Sequence, residues 1–415
     1  MTPLLIALRR GSAPVAVPVM ALLGLFAGTR EDTIVDWGWA SGQLQQHGVL
    51  LVPLTAALAA WDVSRDRRSG SPALTRTYPR PSVRWVLLNC VGAFLAGLVG
   101  WAVTLGMVAT NVRGTGGPYW SVVLLGPFTF VAAVLCGAVA GRYLPRHLAA
   151  PLTAVAVWLG LAFGSTSADP VLARLSGVDR ECCDVASQPV AATVAGQWLW
   201  LAALAVAALA VLLTPRQAGV AGVAALAMAA VAVVTIRGTD ARLTEPRTAT
   251  AESCGTRAEV TVCLWPEHAA DVDAWLAAAT RYRSLFADLG DQPRLYLEYG
   301  LRPAQDVPRL GPVRPGMSED DLVTALARRL FPTPPACAEI EGGSKPYPAA
   351  DADALLSGWL ARRIRPGAPA DRFVPPDQVA LLDRLTGSRP EDQRRWYADL
   401  VRAHRDCTTP APESP

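Results

Sequence analysis

Lysine is almost missing from this chain. Of 415 residues only Lys345 carries an ammonium group, so nearly all of the 38 basic residues are arginine. A phosphate-cradling P-loop needs a Gly-Lys-Ser/Thr ending, and Gly342-Gly343-Ser344-Lys345-Pro346 lacks one. Any uphill work must therefore draw on a separate ATP-hydrolysing subunit. Histidine is scarce too, at four residues. Glu267-His268 has no second histidine a turn later, because Asp271 and Val272 stand there, which removes a zinc-peptidase helix. No G-x-S-x-G elbow occurs. We expect no catalytic residue, no cofactor and no metal site, and the chain does not read as an enzyme. The formal net charge of +3 is spread over segments in two compartments and does not read as nucleic-acid binding.

Charge is also missing where it would matter most. Seven apolar runs, near 13–27, 48–61, 85–109, 121–140, 148–164, 190–213 and 218–236, hold no Asp, Glu, Lys, Arg or His in their cores. Ionisable groups within a bilayer are costly and serve ion-coupled transporters, pumps and intramembrane enzymes, so their absence argues against those classes. A helix needs roughly 17–25 apolar residues to cross. The first two runs fall short and are expected to borrow 10–12 and 44–47. We read an all-α polytopic membrane bundle of seven spans over 1–236, embedded in the lipid bilayer, and a small α+β extracytoplasmic domain over 237–415. No small-x-small cleavage site follows the first run, which reads as a retained anchor.

Arginine sets the orientation. Arg9, Arg10, Arg65, Arg67, Arg68, Arg76, Arg80, Arg84, Arg142, Arg146 and Arg216 fall on alternate loops, whereas the others carry Arg30, Arg113, Arg174 and Arg180, mostly among acids. By the positive-inside rule the N-terminus is cytoplasmic and the C-terminal domain of this multi-pass cell-membrane protein is outside. Cysteine agrees: Cys90 and Cys136 lie within runs, while Cys182, Cys183, Cys254, Cys263, Cys337 and Cys407 fall on the outer, oxidising side. Six cysteines allow 15 pairings. We expect Cys254 with Cys263 in a short hairpin and Cys337 with Cys407 pinning the last helix. Adjacent Cys182 and Cys183 leave two readings, a strained and easily reduced bond or thiols that are free or bonded elsewhere.

Residues 3–10 are short and amphipathic, suited to the interface. The loop 62–84 runs from a charged stretch through Ser-Gly-Ser and Ala73-Leu74 to Pro79-Arg80-Pro81. This order resembles the coupling segment of type 2 ABC exporter permeases. The resemblance covers 1–213: an amphipathic elbow, six spans, a large inner loop after the second, and an outer loop at 165–197 that family members fold partly back into the bilayer. It implies an ATPase docked on Arg65, Arg67, Arg68, Arg76 and Arg80, and a homo- or hetero-dimeric permease partner. The seventh span and outer domain are similar to the actinobacterial branch of permease-like proteins that end in an uncharacterised extracytoplasmic domain. Val262-Cys263-Leu264-Trp265-Pro266-Glu267-His268 and Gln393-Arg394-Arg395-Trp396-Tyr397 carry that likeness, which brings no catalytic residue. Those residues otherwise read as structural: Trp265, Pro266 and Glu267 start a helix whose dipole favours the carboxylate.

Within the domain, 259–264 and 294–299 alternate as strands. Helical spacing follows Pro266, and Ser318 with Asp321 opens a capping box. Helices are expected near 351–364, 376–385 and 390–405. The chain thus reads as the membrane subunit of an ABC export system, or alternatively as a non-transporting membrane protein whose outer domain binds or senses a ligand or envelope partner.

Overall fold

A computed structural model of the chain describes all residues except 1–7, 10, 30–35, 67–81, 113–114, 178–182, 304–306, 315, 334, 336–337, 341–342, 345–346, 370–371, 406–407 and 414–415. The chain is mostly helical and forms two compact units, Met1–Thr248 and Ala249–Pro415.

The N-terminal unit contains α1 (Ala13–Gly28), α2 (Trp37–Gln46), α3 (Gly48–Asp66), α4 (Ser82–Asn111), α5 (Trp120–Val123), α6 (Leu125–Tyr143), α7 (Ala149–Ser165), α8 (Pro170–Leu175), α9 (Ala191–Leu212) and α10 (Pro215–Arg237). Five stretches are long and apolar enough to cross a membrane: α3, α4, α5 with α6, α9 and α10. The apolar helices α1 and α7 have 16 and 17 residues. At about 1.5 Å per residue they rise a few ångströms less than a ~30 Å hydrocarbon core. Val15, Leu22, Phe163, Val220 and Leu226 are each at least 65% exposed. Large apolar side chains that face outward to this extent suit lipid, not water, as their solvent.

Three sequence expectations need correcting. Residues 44–47 do not extend the second run, because Asp36 caps a separate helix, α2, through Trp39 N (2.8 Å) and that helix ends at His47. α3 instead gains length at its far end and carries Asp62 inside its last turns. Nor do Gly11 and Ser12 extend the first run: α1 begins at Ala13, with Pro14 in its first turn and Ser12 as its N-cap, and Arg10 lies outside the described residues. The loop between α7 and α9 and the segment after α10 also belong together. β1 (Ser187–Pro189) pairs antiparallel with β2 (Thr244–Pro246), and Thr193 Oγ1 donates to Arg242 O (2.6 Å). The division between units accordingly falls after Thr248, beyond the 236/237 boundary read from hydropathy.

Glycine sets how closely the helices approach. Gly137 and Gly141 of α6 lie one turn apart against Ala56 and Ala60 of α3. A Cβ on either would come 2.2 Å or 2.5 Å from a backbone oxygen of those alanines. Such small-residue seams let backbones pack in van der Waals contact, which holds helices together where no hydrophobic effect separates protein from lipid.

The C-terminal unit is built on a four-stranded sheet, β3 (Ser253–Arg257), β4 (Val260–Leu264), β5 (Leu295–Glu298) and β6 (Arg309–Leu310), in that spatial order. β3 and β4 are antiparallel, and β4, β5 and β6 run parallel. Ala258 and Glu259 join β3 to β4 with left-handed φ values of 46° and 64°, as a two-residue hairpin turn requires. α11 (Val272–Leu285) connects β4 to β5, and α12 (Glu319–Ala327), α13 (Asp353–Ile364), α14 (Val379–Gly387) and α15 (Pro390–Ala403) complete the unit. Their inner faces bury Trp275, Tyr282, Leu326, Trp359, Leu382 and Trp396 in one core with β4. Ser318 and Asp321 form a reciprocal capping box at the start of α12.

Asp320, next in that turn, accepts from Arg365 Nε (2.7 Å) and Arg281 (2.6 Å), tying α12 to α11 and to the end of α13. These bonds, Arg365's first and then Arg281's, hold its carboxyl below the usual carboxylate range. A lowered folded-state pKa stabilises above the ordinary range, and that stabilisation is lost as pH falls through the lowered value. Asp320→Asn should cost up to about 1 kcal/mol at neutral pH, since the pairs are solvent-screened, and nothing once both states are protonated. Amide hydrogen exchange of α12 followed from pH 7 downward tests this; a deficit independent of pH would reject the ionic account.

Candidate functional site

The N-terminal unit has a cavity of about 580 Å³, open on one side, between α3, α6, α7, α8 and α9. It exists because α7 packs on α3 and α8 without closing onto α9, and Gly160 supplies no side chain to fill the gap, nothing lying within 4 Å of a Cβ built there. Gly164, one turn on, lets Ser176 close the end of the cavity, where a Cβ would meet the serine's own Cβ at 2.7 Å. The walls are Val52, Ala133, Leu161, Phe163, Trp200 and Leu204, with Cys136 as a free thiol.

Hydroxyls at the cavity are turned to the backbone. Thr129 Oγ1 donates to Leu125 O (2.8 Å) and Ser176 Oγ to Ala173 O (2.6 Å). No lining residue is charged. Such a cavity can hold hydrocarbon or weakly polar groups, and it offers nothing to replace the hydration shell of an ion. Its volume lies within the ~300–1,000 Å³ of small-molecule sites.

At one end of the unit, Asp62 is buried and receives Ser12 N (2.9 Å) and Ser12 Oγ (2.7 Å), so α3 supplies the acceptor for the start of α1. Arg65, one residue before the end of α3, is exposed. Of the coupling-segment residues read from sequence, only Arg65 is placed; Arg67, Arg68, Arg76 and Arg80 lie outside the described residues. The amphipathic stretch 3–10 lies largely outside them as well. At the opposite end, α8 folds the loop between α7 and α9 back against those helices, burying Val171 and Leu175 and bonding Arg174 O to Gln197 (3.0 Å).

In the C-terminal unit, Cys254 and Cys263 stand directly opposite in the β3–β4 register and are joined by a disulfide. Cys337 and Cys407 lie outside the described residues, as does Cys182; Cys183 is disulfide-bonded. Glu252, Cys254 and Cys263 are the one grouping of metal-type donors among the described residues. The disulfide occupies both sulfurs and leaves a single carboxylate, which does not make a metal site.

Glu298 closes β5 beside the end of β4. Its Oε2 accepts from Trp265 N (2.8 Å) and its Oε1 meets His268 Nδ1 at 2.5 Å, with both side chains at most 3% exposed. Trp265 Nε1 reaches Tyr299 O (3.0 Å). Carboxyl ends of parallel strands are where open α/β sheets place ligands. Here packing has closed that edge, and the pair locks the turn after β4 to β5. Sequence reasoning weighed His268 with its neighbour Glu267 and missed Glu298. The available signal was an acid in a strand with a parallel neighbour on each side, where both faces are covered. Gln393 is likewise a tie: its Oε1 accepts from Trp359 Nε1 (2.8 Å) and its Nε2 donates to Ser388 O (3.0 Å).

Residues 262–407 match a family model described as a domain of unknown function (DUF7224). No curated protein and no solved structure matches the chain.

Proposed function

We propose that the chain is a permease-like membrane subunit of an ABC-type export system, with seven crossings, a cytoplasmic N-terminus, an extracytoplasmic C-terminal domain and a separate ATPase docked on 62–84. The observation that carries this reading is the uncharged cavity among five helices of the N-terminal unit, which offers a path for an apolar solute and no group to drive it. The helix ends support alternation across the bilayer: Ser12 meets Asp62 and Tyr143 meets Val211 at one end, and Thr193 meets Thr239 at the other. The outward side chains of α1 and α7 support counting these shorter helices as spans. Arginines at the second end, Arg174, Arg242 and Arg247, bond backbone carbonyls, which fits the more exposed arginines at the first end setting orientation.

The test is purification of the full chain in mild detergent with its ATPase. Reversing Arg67 and Arg68 to Glu should lower the recovered ATPase about tenfold or more, since like charges across an interface cost several kcal/mol. Gly160→Leu, which fills the cavity without touching a helix seam, should keep the complex and abolish ATP-driven movement of a hydrophobic fluorescent amphiphile. Full ATPase recovery in the first variant and full movement in the second would remove the export reading and favour the ligand-sensing alternative.

A further inference from the structure

The cavity of the N-terminal unit has a side chamber. A further hollow of about 20 Å³, room for one water-sized group, shares Val52, Thr129, Leu161 and Ser176 with it and extends toward the end of α2. Gln45, Trp101 and Gly126 stand in its walls. The larger hollow is walled mainly by hydrocarbon, whereas the smaller gathers an indole, an amide and a hydroxyl around a single small volume.

Trp101 is the donor. This residue of α4 is 8% exposed, and its Nε1 has no acceptor among the described residues. The nitrogen lies against Gly126 at the start of α6, where a Cβ would come within 2.4 Å of it, so glycine keeps the space beside the indole N–H clear. A buried donor without an acceptor bears its whole desolvation penalty, and a ligand that supplies the acceptor recovers it. Thr129 and Gln45 are the acceptors. Thr129 Oγ1 donates its only hydrogen to Leu125 O (2.8 Å), so toward the chamber it can only accept. Gln45 Nε2 faces Val122 O (3.4 Å), which leaves the amide oxygen to accept. The backbone fits a lined site as well. The apolar stretch Trp120–Tyr143 is interrupted at Leu124, just before Pro127, which has no N–H to return to Val123 O. Irregular backbone at membrane depth occurs where it is buried in protein or lines a cavity.

One donor and two acceptors, all neutral, select the head of a ligand. A hydroxyl accepts from an indole N–H and donates to a hydroxyl or amide oxygen. An ether or ester can only accept. A carboxylate or phosphate would lose its hydration with no cation among the residues that line either hollow.

We propose that the two hollows form one site for a neutral amphiphile with a single hydroxyl on a long hydrocarbon chain, the hydroxyl between Trp101 and Thr129 and the chain in the larger cavity. The assignment builds on the export reading, which makes the cavity a solute site, and adds the class of solute.

The experiment is equilibrium binding of radiolabelled hexadecanol to the full-length chain in detergent without its ATPase, with hexadecyl methyl ether, hexadecane and ionised palmitate as competitors. The wild type should hold hexadecanol about fivefold more tightly than the ether, which cannot donate, and about tenfold or more over hexadecane and palmitate. Trp101→Phe keeps the ring and removes the N–H; it should weaken hexadecanol about fivefold and leave hexadecane unchanged. Thr129→Val should narrow the gap between alcohol and ether. Gly160→Leu, which fills the larger cavity, should abolish binding of all four. Helical circular dichroism and elution volume establish that each variant is folded. Equal affinity of the wild type for hexadecanol and hexadecane, tighter binding of palmitate, or an unchanged preference in folded Trp101→Phe would each overturn the site. The two readings fail separately. ATP-driven movement of a hydrophobic amphiphile without the hydroxyl preference would keep export and overturn this site, whereas the preference without movement would support the site and remove export.

Discussion

Glu298→Ala is expected to loosen the sheet of the C-terminal unit by about 3 kcal/mol or more, a large share of the 5–15 kcal/mol that holds an ordinary domain together. The glutamate is 2% exposed and accepts from two groups that have themselves left water, Trp265 N and His268. Its removal leaves those polar groups facing a void, and a buried donor without its acceptor bears its whole desolvation penalty. Glu298→Gln keeps an acceptor oxygen and most of the volume, so it should fall between wild type and alanine. Native-state hydrogen exchange of β4 and β5 amides in the full chain measures the loss. Equal protection in wild type and Glu298→Ala would mean that the pair is a passenger in an already rigid edge.

Gly137→Leu should do comparable damage to the N-terminal unit. Its Cβ would lie 2.2 Å from the oxygen of Ala56, and the obstruction is backbone, which no rotamer change relieves. Overpacking typically costs about 1–3 kcal/mol, and a helix seam forced apart along α3 and α6 sits at the top of that range or above it. The expected result is a severalfold fall in monodisperse protein after detergent extraction and rapid tryptic cleavage near α6. Gly160→Leu is the matched control, because the same substitution there enters open space. Identical behaviour of the two leucine variants would show that the seam does not hold the bundle.

What is local was legible in the residues alone. The apolar runs gave the helices α1, α3, α4, α6, α7, α9 and α10, because a 3.6-residue helix is the only economical way for one segment to satisfy its backbone among apolar surroundings. Ser318 with Asp321 gave the start of α12, because a capping box is satisfied within four residues. α2 escaped notice because Trp37–Gln46 mixes glycine and glutamine with its tryptophans and has no sustained apolar stripe. Packing of distant segments set the cavity, which depends on where α7 stops short of α9. It also decided that Asp62 would bond Ser12, 50 residues away, and that His268 would meet Glu298, 30 residues on, rather than act with Glu267 beside it. Such pairings are fixed when packing brings distant segments into one place and removes their water, and neither the spacing nor the composition of a single segment carries that information.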